Sequence, residues 1–389
     1  MNFEFNASTR IIFGPGTASR VGAIASGFGK RVLVASGVPS GIFGDFATNL
    51  GQAGLKVFDL QVETEPTIEI IQKGQAIGRQ NNCDVIIGLG GGSAIDTGKA
   101  IAALMTNTGD LYNYLEVIGK GQPIQNPSAP FIAIPTTAGT GAEVTSNAVI
   151  SADIPDHQGR KIKVSLRSPL MQARLAILDP LLTLELPASV TASTGLDALT
   201  QLIEPYVSNK ANPMTDAICR EGLRRVSGAL RTAYFDGKDV VARENMLIAS
   251  LFSGIALANA KLGAVHGFAA PIGGLYMAAH GAVCARLLPL VMRANINALN
   301  ERETDNPIFQ RYQEVAQILT GRTDATAEDG IAWVQSLVSD LKIPGLSEYG
   351  MKIGDIPEVV QQAARASSMQ GNPIKLTDAE LSQILYQAL

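Results

Sequence analysis

Short hydrophobic runs alternate with helical patterns along the first half of the chain. The stretch IEIIQKGQAIGRQNN has apolar residues at helical spacing and is bounded by turn-forming residues. Strands that alternate with helices predict a parallel sheet covered on both faces. Four runs rich in Val, Ile and Leu predict buried strands of this sheet: RVLVASG (31–37), LKVFDL (55–60), CDVIIGLG (83–90) and FIAIP (131–135).

The pattern then changes to a hairpin and a last strand. VTSNAVISAD and KIKVSLRS alternate apolar and polar residues on either side of the polar stretch IPDHQGR, which predicts an antiparallel pair. ARLAILDP predicts one more apolar strand, which ends at Pro180.

Beyond residue 186 the strand-like alternation is replaced by long helical patterns. Prolines 180 and 187 interrupt both periodicities at the junction. The predicted fold is therefore α/β: an N-terminal parallel-sheet domain at 1–185 and a C-terminal all-α domain at 186–389. The helical patterns are LTQLIEPYV, MTDAICREGLRRVSGALRTAYF, RENMLIASLFSGIALANA and FQRYQEVAQILT.

Composition narrows the class of protein. The 389 residues are 46% hydrophobic and 17% charged, with a net charge of −4 and no basic stripe, which argues against a nucleic-acid partner. Cys83, Cys219 and Cys284 are too far apart for a CxxC knuckle or a disulfide framework. The N-terminus lacks the pattern of a signal peptide, and no uninterrupted apolar run has the length of a membrane span. These features predict a soluble cytoplasmic protein.

A glycine-rich turn, LGGGSAIDTGKA, follows a predicted strand and opens a helix. Gly91 and Gly92 let the backbone approach a ligand closely, and the free N–H groups of the helix start favour an anion. Ser93 adds a hydroxyl, and Asp96 is placed to cap the turn or to bind a hydroxyl. The stretch matches neither GxGxxG nor GxxxxGK[ST], so a merely tight structural turn competes with a phosphate site as its explanation.

A second loop, IPTTAGTGAEVTSN, follows another strand end. Thr136, Thr137 and Thr140 place three hydroxyls on it, at the carboxyl edge of the sheet where ligands of open α/β folds bind. Together the two loops favour a dinucleotide.

The stretch TGLDALTQLIEPY predicts an amphipathic helix with Asp197 and Gln201 one turn apart on the same face. His266 is expected to end a helical stretch, and His280 to start a new helix after a break at Gly273–Gly274. An aspartate, two histidines and a fourth donor suit Zn²⁺ or Fe²⁺. The third histidine, His157, lies in a polar loop and is expected to be solvated.

These motifs resemble the iron-containing (group III) alcohol dehydrogenases of the dehydroquinate synthase-like superfamily, which also includes the similar maleylacetate reductases. The resemblance runs along nearly the whole chain, through FGPG, GGGSAIDTGKA, PTTAGTGAEVT, LDPLLT, GLDAL, GAVHGFAAPIGG, AHGAVCARLLP and NPIKLTDAEL. It implies a reversible NAD(P)-dependent alcohol dehydrogenase, with catalysis in a cleft between the two domains. It also implies a homodimer or a larger homo-oligomer acting on a small alcohol or aldehyde.

The resemblance also implies cofactor contacts. Gly92 and Ser93 would bind the pyrophosphate, and Thr136 to Thr140, Lys163 and Leu182 would line the rest of the nucleotide. The family's aspartate that binds the adenosine ribose falls on Gly37 here. With no carboxylate to repel a 2′-phosphate, NADP(H) is expected to be accepted and preferred over NAD(H).

For the metal, the resemblance implies Asp197, His266 and His280 as ligands, with His280 essential for turnover. The chain departs from the family twice, because the positions of two imidazoles are Gln201 and Ala270. Three hypotheses follow: Gln201 coordinates an ion directly or through water, the ion is weakly held, or the site works without metal as in maleylacetate reductases. Beside an alcohol dehydrogenase, the sequence leaves open a dehydroquinate synthase-like lyase and a non-catalytic cofactor-binding relative.

Overall fold

The computed structural model describes residues 2–153 and 161–389. The chain divides into two compact units. Ala7–Thr137 and Gly141–Leu184 form the first, which we call the α/β unit. Glu185–Leu389, Ala138–Thr140 and the residues up to Asn6 form the second, the helical unit. The predicted combination of a parallel sheet with a helical C-terminal region is confirmed. His157 lies outside the described residues.

The α/β unit is built on a six-stranded parallel sheet with the order β1-β8-β5-β4-β2-β3. Every residue of Val85–Gly90 and Phe131–Pro135 is buried, as expected for central strands covered on both faces. The described strands are β1 Arg10–Phe13, β2 Arg31–Ser36, β3 Lys56–Gln61, β4 Val85–Gly90, β5 Phe131–Pro135, β6 Asn147–Asp153, β7 Lys161–Arg167 and β8 Leu175–Leu178.

The register of the sheet brings three strand ends together. Ser36 of β2 pairs with Leu89 of β4, and Gly90 of β4 pairs with Pro135 of β5. The turns that follow these strands therefore lie side by side at the carboxyl edge. The helices of this unit are α1 Val21–Ala25, α2 Ser40–Gln52, α3 Ile68–Gln80 and α4 Gly92–Thr106.

The predicted hairpin is present as the antiparallel pair β6–β7, with Ile150 opposite Val164. Strand β1 was not predicted. It is only four residues long and lies at the edge of the sheet beside β8, with Ile11 exposed, so its pattern lacks the continuous apolar run of the central strands.

The helical unit contains the rest of the described helices. They are α5 Ala188–Val207, α6 Pro213–Phe235, α7 Val240–Ala260, α8 Ala264–Tyr276, α9 His280–Arg302, α10 Ile308–Thr320, α11 Ala327–Asp340, α12 Ile356–Arg365 and α13 Asp378–Ala388. Helices α7 and α9 are long and apolar enough to cross a membrane. Most of the apolar window of each is buried inside the unit, however, as in the core helices of globular proteins.

Helix α5 is the centre of this unit, because α6, α7 and α9 all pack against it. Its residues from Gly195 to Val207 are all buried. The prediction of an amphipathic helix was therefore wrong for this stretch, since a helix surrounded by three others has no exposed face.

Two helix boundaries also differ from the prediction. His266 lies in the first turn of α8 instead of ending a helix, and Gly273 and Gly274 lie inside α8 instead of breaking it. His280 is the first residue of α9, as predicted.

Candidate metal and cofactor sites

The start of α8 is held by side chains from distant parts of the helical unit. The amide of Val265 donates to Glu204 Oε1 at 2.7 Å, and the amide of Ala264 donates to Asn372 Oδ1 at 3.1 Å. The carboxylate of Glu204 thus meets the positive end of the helix dipole. Because these acceptors come from other elements, the helix begins just before His266.

Glu204 also orients the His266 ring. Its Oε2 lies 2.6 Å from His266 Nδ1, and both side chains are buried. A carboxylate oxygen accepts the Nδ1 proton, so Nε2 is the ring nitrogen that is left for a metal ion, which would displace any proton there on binding. That Nε2 lies 3.4 Å from Asp197 Oδ1.

Helix α9 begins in backbone contact with α5. A Cβ on Gly281 would lie 2.3 Å from the carbonyl oxygen of Ser193, so only glycine fits there. This approach places His280 Nε2 at 3.8 Å from Asp197 Oδ1. One turn further along α9, Cys284 Sγ lies 3.7 Å from His280 Nε2 and 3.8 Å from His266 Nε2.

Four potential ligand atoms therefore converge, from Asp197, His266, His280 and Cys284, all within 4.8 Å of one another. Three of these residues are buried, whereas the His280 side chain is 35% exposed. Asp197 Oδ1 is buried and has no hydrogen-bond partner among the described residues. A buried carboxylate oxygen facing two imidazoles and a thiol is the donor chemistry that a divalent metal satisfies, so the residues fit such an ion.

The ionisable groups of the cluster shift one another's pKa values. Burial pushes the pKa of Asp197 upward, but the adjacent imidazoles of His280 and His266 outweigh it and hold that pKa below its ordinary value. Burial lowers the pKa of His266, yet Cys284 and the carboxylates of Asp197 and Glu204 raise it well above its ordinary range. Burial raises the pKa of the Cys284 thiol to about 12.

The two positions where the family's imidazoles are missing have different surroundings. Gln201 is buried one turn after Asp197, and its Oε1 accepts a hydrogen bond of 2.9 Å from Ser253 Oγ. Ala270 lies one turn after His266 in α8 and brings no donor. The role of Gln201 as a ligand stays a prediction.

In the α/β unit, the predicted cofactor glycines meet at the carboxyl edge of the sheet. Gly90 has φ +148°, and a Cβ there would lie 3.1 Å from Gly37 Cα and 2.8 Å from Ala94 Cβ. The Gly37 amide donates to the carbonyl of Leu89 at 2.8 Å. Gly91 precedes α4, so the glycine-rich turn lies directly beside the position that the family's aspartate would occupy.

The threonine loop lies against the same turn. The amide of Thr136 donates to the carbonyl of Gly90 at 2.9 Å, and a Cβ on Gly91 would lie 3.3 Å from Thr137 Cγ2. Gly92 and Ser93 form the first turn of α4 and are partly exposed. Thr140 belongs to the helical unit, with Ala138–Thr140.

Of the two roles expected of Asp96, capping the glycine-rich turn was wrong, and binding a hydroxyl stays a prediction. Within the described parts of the chain, no side chain caps the N-terminus of α4. Asp96 Oδ2 instead accepts a hydrogen bond of 3.0 Å from the Val149 amide of β6, and Oδ1 lies 3.4 Å from Lys99 Nζ. Burial raises the pKa of Asp96, and Lys99 partly offsets this rise.

Lys99 is fully buried and joins α4 to the chain around the hairpin. Its ammonium donates to the carbonyls of Ala142 and Asn147, each at 2.7 Å, and to Thr145 Oγ1 at 2.9 Å. Nearby, burial raises the pKa of Glu143 to about 7, and Glu143 Oε1 has no partner in the part of the chain that is described. Neither residue was singled out from the sequence.

The last two predicted cofactor residues lie further along the α/β unit. Lys163 is on β7 and pairs with Glu65 at 2.6 Å. Leu182, in the 3-10 turn Pro180–Thr183, packs against the hydrophobic core on one side of the sheet.

Sequence reasoning missed Glu204 and Cys284, although a signal was present for both. Glu204 follows Asp197 by seven residues, which is two helical turns, and Cys284 follows His280 by four. The one-turn spacing that pointed to Asp197 and Gln201 applies equally to His280 and Cys284.

Comparisons with known proteins identify the family. A model described as iron-containing alcohol dehydrogenase matches residues 8–180, and the model of the C-terminal part of the Fe-containing alcohol dehydrogenase family matches residues 191–389. The chain is 36% identical to the 1,3-propanediol dehydrogenase of Citrobacter freundii, over 99% of this chain and 98% of that one.

Solved structures support the same family assignment. A 1,3-propanediol oxidoreductase superposes with a TM-score of 0.90 at 35% identity, covering all of both chains. The sulfoacetaldehyde reductase of Bifidobacterium kashiwanohense, solved in complex with NAD+, has a TM-score of 0.86 at 27% identity, over 100% of this chain and 99% of that one. These relatives do not favour a lyase or a maleylacetate reductase-like enzyme. The chain therefore belongs to the iron-containing alcohol dehydrogenase family and is a nicotinamide-dependent oxidoreductase that interconverts alcohols with aldehydes or ketones.

Proposed function

We propose that this alcohol dehydrogenase works with a divalent metal, iron or zinc, held by Asp197, His266 and His280. The observation that carries the proposal is Asp197 Oδ1, a buried oxygen without a hydrogen-bond partner among the described residues, which faces the Nε2 atoms of His266 and His280 at 3.4 and 3.8 Å. A carboxylate in that position is stabilised by a cation.

When bound, the metal supplies Lewis acidity toward the substrate oxygen, and the nicotinamide supplies or accepts the hydride. The chain's own residues position these groups. Glu204 holds the His266 ring so that Nε2 faces Asp197, and the partly exposed His280 marks the solvent side of the cluster. We therefore assign His280 as the residue that the substrate approaches and on which turnover depends.

The alcohol proton needs a route that does not use an imidazole at position 270. Ala270 has no donor or acceptor on its side chain, so the proton leaves through water or through a ribose hydroxyl of the cofactor. Gln201 Oε1 has a second lone pair beside the one that accepts from Ser253, so it contributes to the ion directly or through water.

For the cofactor, the proposal is NADP(H) in preference to NAD(H). Gly37 lies beside the glycine-rich turn and brings no carboxylate to repel a 2′-phosphate. The pyrophosphate is assigned to the backbone at Gly91, Gly92 and Ser93, because the first turn of α4 has no side-chain cap in residues 2–153 and 161–389.

The remaining cofactor contacts are assigned by resemblance to the family. Thr136, Thr137, Thr140, Lys163 and Leu182 line the rest of the nucleotide. Asp96 acts indirectly, by holding the Val149 amide and so fixing α4 against β6.

The organisation of the enzyme is likewise proposed from the family. A dinucleotide-binding domain covers residues 1–185, and a metal- and substrate-binding domain covers residues 186–389. The enzyme acts in the cytoplasm as a homodimer or larger homo-oligomer.

The experiment that tests the proposal is metal analysis of freshly purified protein, paired with oxidation of NADPH and NADH on a panel of aldehydes. We expect a stoichiometric divalent metal, loss of turnover on chelation and recovery when Zn²⁺ or Fe²⁺ is added back. Full turnover by metal-free protein would contradict the metal assignment, and a higher kcat/KM for NADH would contradict the cofactor assignment.

A further inference from the structure

We propose that Cys284 is itself a ligand of this metal ion, as a thiolate, and that it takes the coordination position for which the chain has no third imidazole. The inference rests on the proposed function, because it names a further residue of the same site. It is carried by the placement of the sulfur relative to the other three donors.

Four of the six distances between donor atoms are close to those of a tetrahedron around a small ion. Bonds of about 2.1 Å to nitrogen and oxygen and about 2.3 Å to sulfur put nitrogen about 3.4 Å from oxygen and about 3.6 Å from sulfur. The cluster has nitrogen–oxygen distances of 3.4 and 3.8 Å, from His266 and His280 to Asp197. Its nitrogen–sulfur distances are 3.8 and 3.7 Å, from the same imidazoles to Cys284.

The backbone makes this placement rigid. Cys284 follows His280 by one turn of α9, so the two side chains rise from one helix face. The contact between Gly281 and Ser193 then fixes that face against α5, which carries Asp197. The sulfur is fully buried and faces both imidazoles.

A buried cysteine is more often a small apolar residue of the core, and this chain supplies a comparison. Cys83 and Cys219 are also free and buried. Among the described residues, the only cluster of histidine, cysteine and acidic side chains with ligand spacing is the one that contains Cys284. Burial alone therefore does not distinguish Cys284 from the other two cysteines. The histidine and aspartate side chains around its sulfur do.

The thiolate changes the charge and the selectivity of the site. On binding, the thiol loses its proton to solvent and the sulfur forms a bond to the ion, so that Asp197 and Cys284 together neutralise a divalent charge. Sulfur donors favour Zn²⁺ and Co²⁺ over harder cations. Zinc also accepts a fifth donor, so four protein ligands leave a position for the substrate oxygen.

The test is reconstitution of the full-length metal-free protein with Co²⁺, followed by absorption spectroscopy and measurement of the cobalt content. A cobalt–thiolate bond gives a charge-transfer band in the near ultraviolet, whereas the visible d–d bands report a bound tetrahedral ion whatever its ligands. The wild type should show both. Cys284→Ala should lose the charge-transfer band and retain Co²⁺ at least about tenfold more weakly.

Two further variants distinguish the loss of the sulfur ligand from misfolding of the protein. Cys284→Asp keeps an anionic donor, so it should retain Co²⁺ and the d–d bands without the charge-transfer band. Cys219→Ala, at an equally buried cysteine, should keep both the d–d bands and the charge-transfer band. If wild type shows d–d bands and no charge-transfer band, or if Cys284→Asp keeps the charge-transfer band, Cys284 is not a ligand and the proposed function stands. Failure of the wild type to bind any of Co²⁺, Zn²⁺ and Fe²⁺ would overturn both proposals.

Discussion

His266 Nδ1 lies 2.6 Å from Glu204 Oε2, and the other oxygen of the same carboxylate accepts the amide of Val265 at 2.7 Å. One buried side chain therefore fixes both the start of α8 and the orientation of the imidazole in its first turn. Because the carboxylate accepts from Nδ1, it is Nε2 that faces Asp197.

Glu204→Gln should move the ring proton of His266 from Nδ1 to Nε2. With its single oxygen kept on the Val265 amide, the new side chain presents an NH2 group to Nδ1, and the proton moves to Nε2, where it blocks the lone pair. We expect metal affinity to fall by about 10- to 100-fold. Metal retained per chain after dialysis against a mild chelator measures the effect. Glu328→Gln, at an exposed carboxylate paired with Arg293, is the matched control. If Glu204→Gln retains as much metal per chain as the wild type, Glu204 does not influence metal binding.

Gln201→His should restore an imidazole one turn beyond Asp197. A nitrogen donor is stronger than an amide oxygen for Zn²⁺ or Fe²⁺, so we expect metal affinity to rise roughly tenfold, about 1.4 kcal/mol. The lost bond to Ser253 works against this gain. His280→Ala should do the opposite and remove both the metal and most of the turnover. The measurement is the metal content of the wild type and the two variants after dialysis against the same chelator. Equal metal retention in all three proteins would mean that these residues do not form the site.

Gly37→Asp should shift the cofactor preference toward NAD(H), because a carboxylate at this position repels the 2′-phosphate. A Cβ here lies 3.3 Å from Ala94 Cβ, so part of any effect is steric. Gly37→Ala adds the same Cβ without the charge and is therefore the control. The readout is the ratio of kcat/KM for NADH to that for NADPH. A similar change in this ratio in both variants would assign the effect to sterics.

Glu143 should make the protein less stable as the pH rises through neutrality. Burial raises its pKa from 4.5 to about 7 in the folded protein, so the folded state holds an extra proton between these values. The resulting stabilisation is complete below pH 4.5 and is lost as the pH rises through 7, on the order of 3 kcal/mol in total. Glu143→Gln should therefore gain stability relative to wild type between about pH 5 and pH 8 in urea unfolding. Parallel pH profiles of the two proteins would refute the assignment.

The sequence predicts the sheet well because its central strands are continuous apolar runs between turn residues. FIAIP is observed from its first to its last residue, as Phe131–Pro135. The short edge strand β1 has no such run, and it exists because β8 offers it a partner. The local sequence pattern is sufficient to predict a strand only where the strand is buried on both faces.

The site was less predictable because its geometry depends on long-range contacts. The start of α8 just before His266 has no side-chain cap from its own N-cap residue, Gly263. The groups that satisfy the start of α8 are Glu204 and Asn372, from distant parts of the chain. Asp96 shows the same limitation, since the partner of its Oδ2 is the Val149 amide, on a strand of the hairpin.

The proposed ligands come from three separate helices, α5, α8 and α9, and this has a consequence for the lifetime of the folded enzyme. An ion bound there acts as a reversible cross-link across the middle of the helical unit and cannot be held in the same way by an unfolded chain. Free metal at about one hundred times its dissociation constant would then add about 2.7 kcal/mol to the free energy of unfolding. The supply of metal in the surroundings would decide how quickly the enzyme is lost to proteolysis, as well as how fast it works.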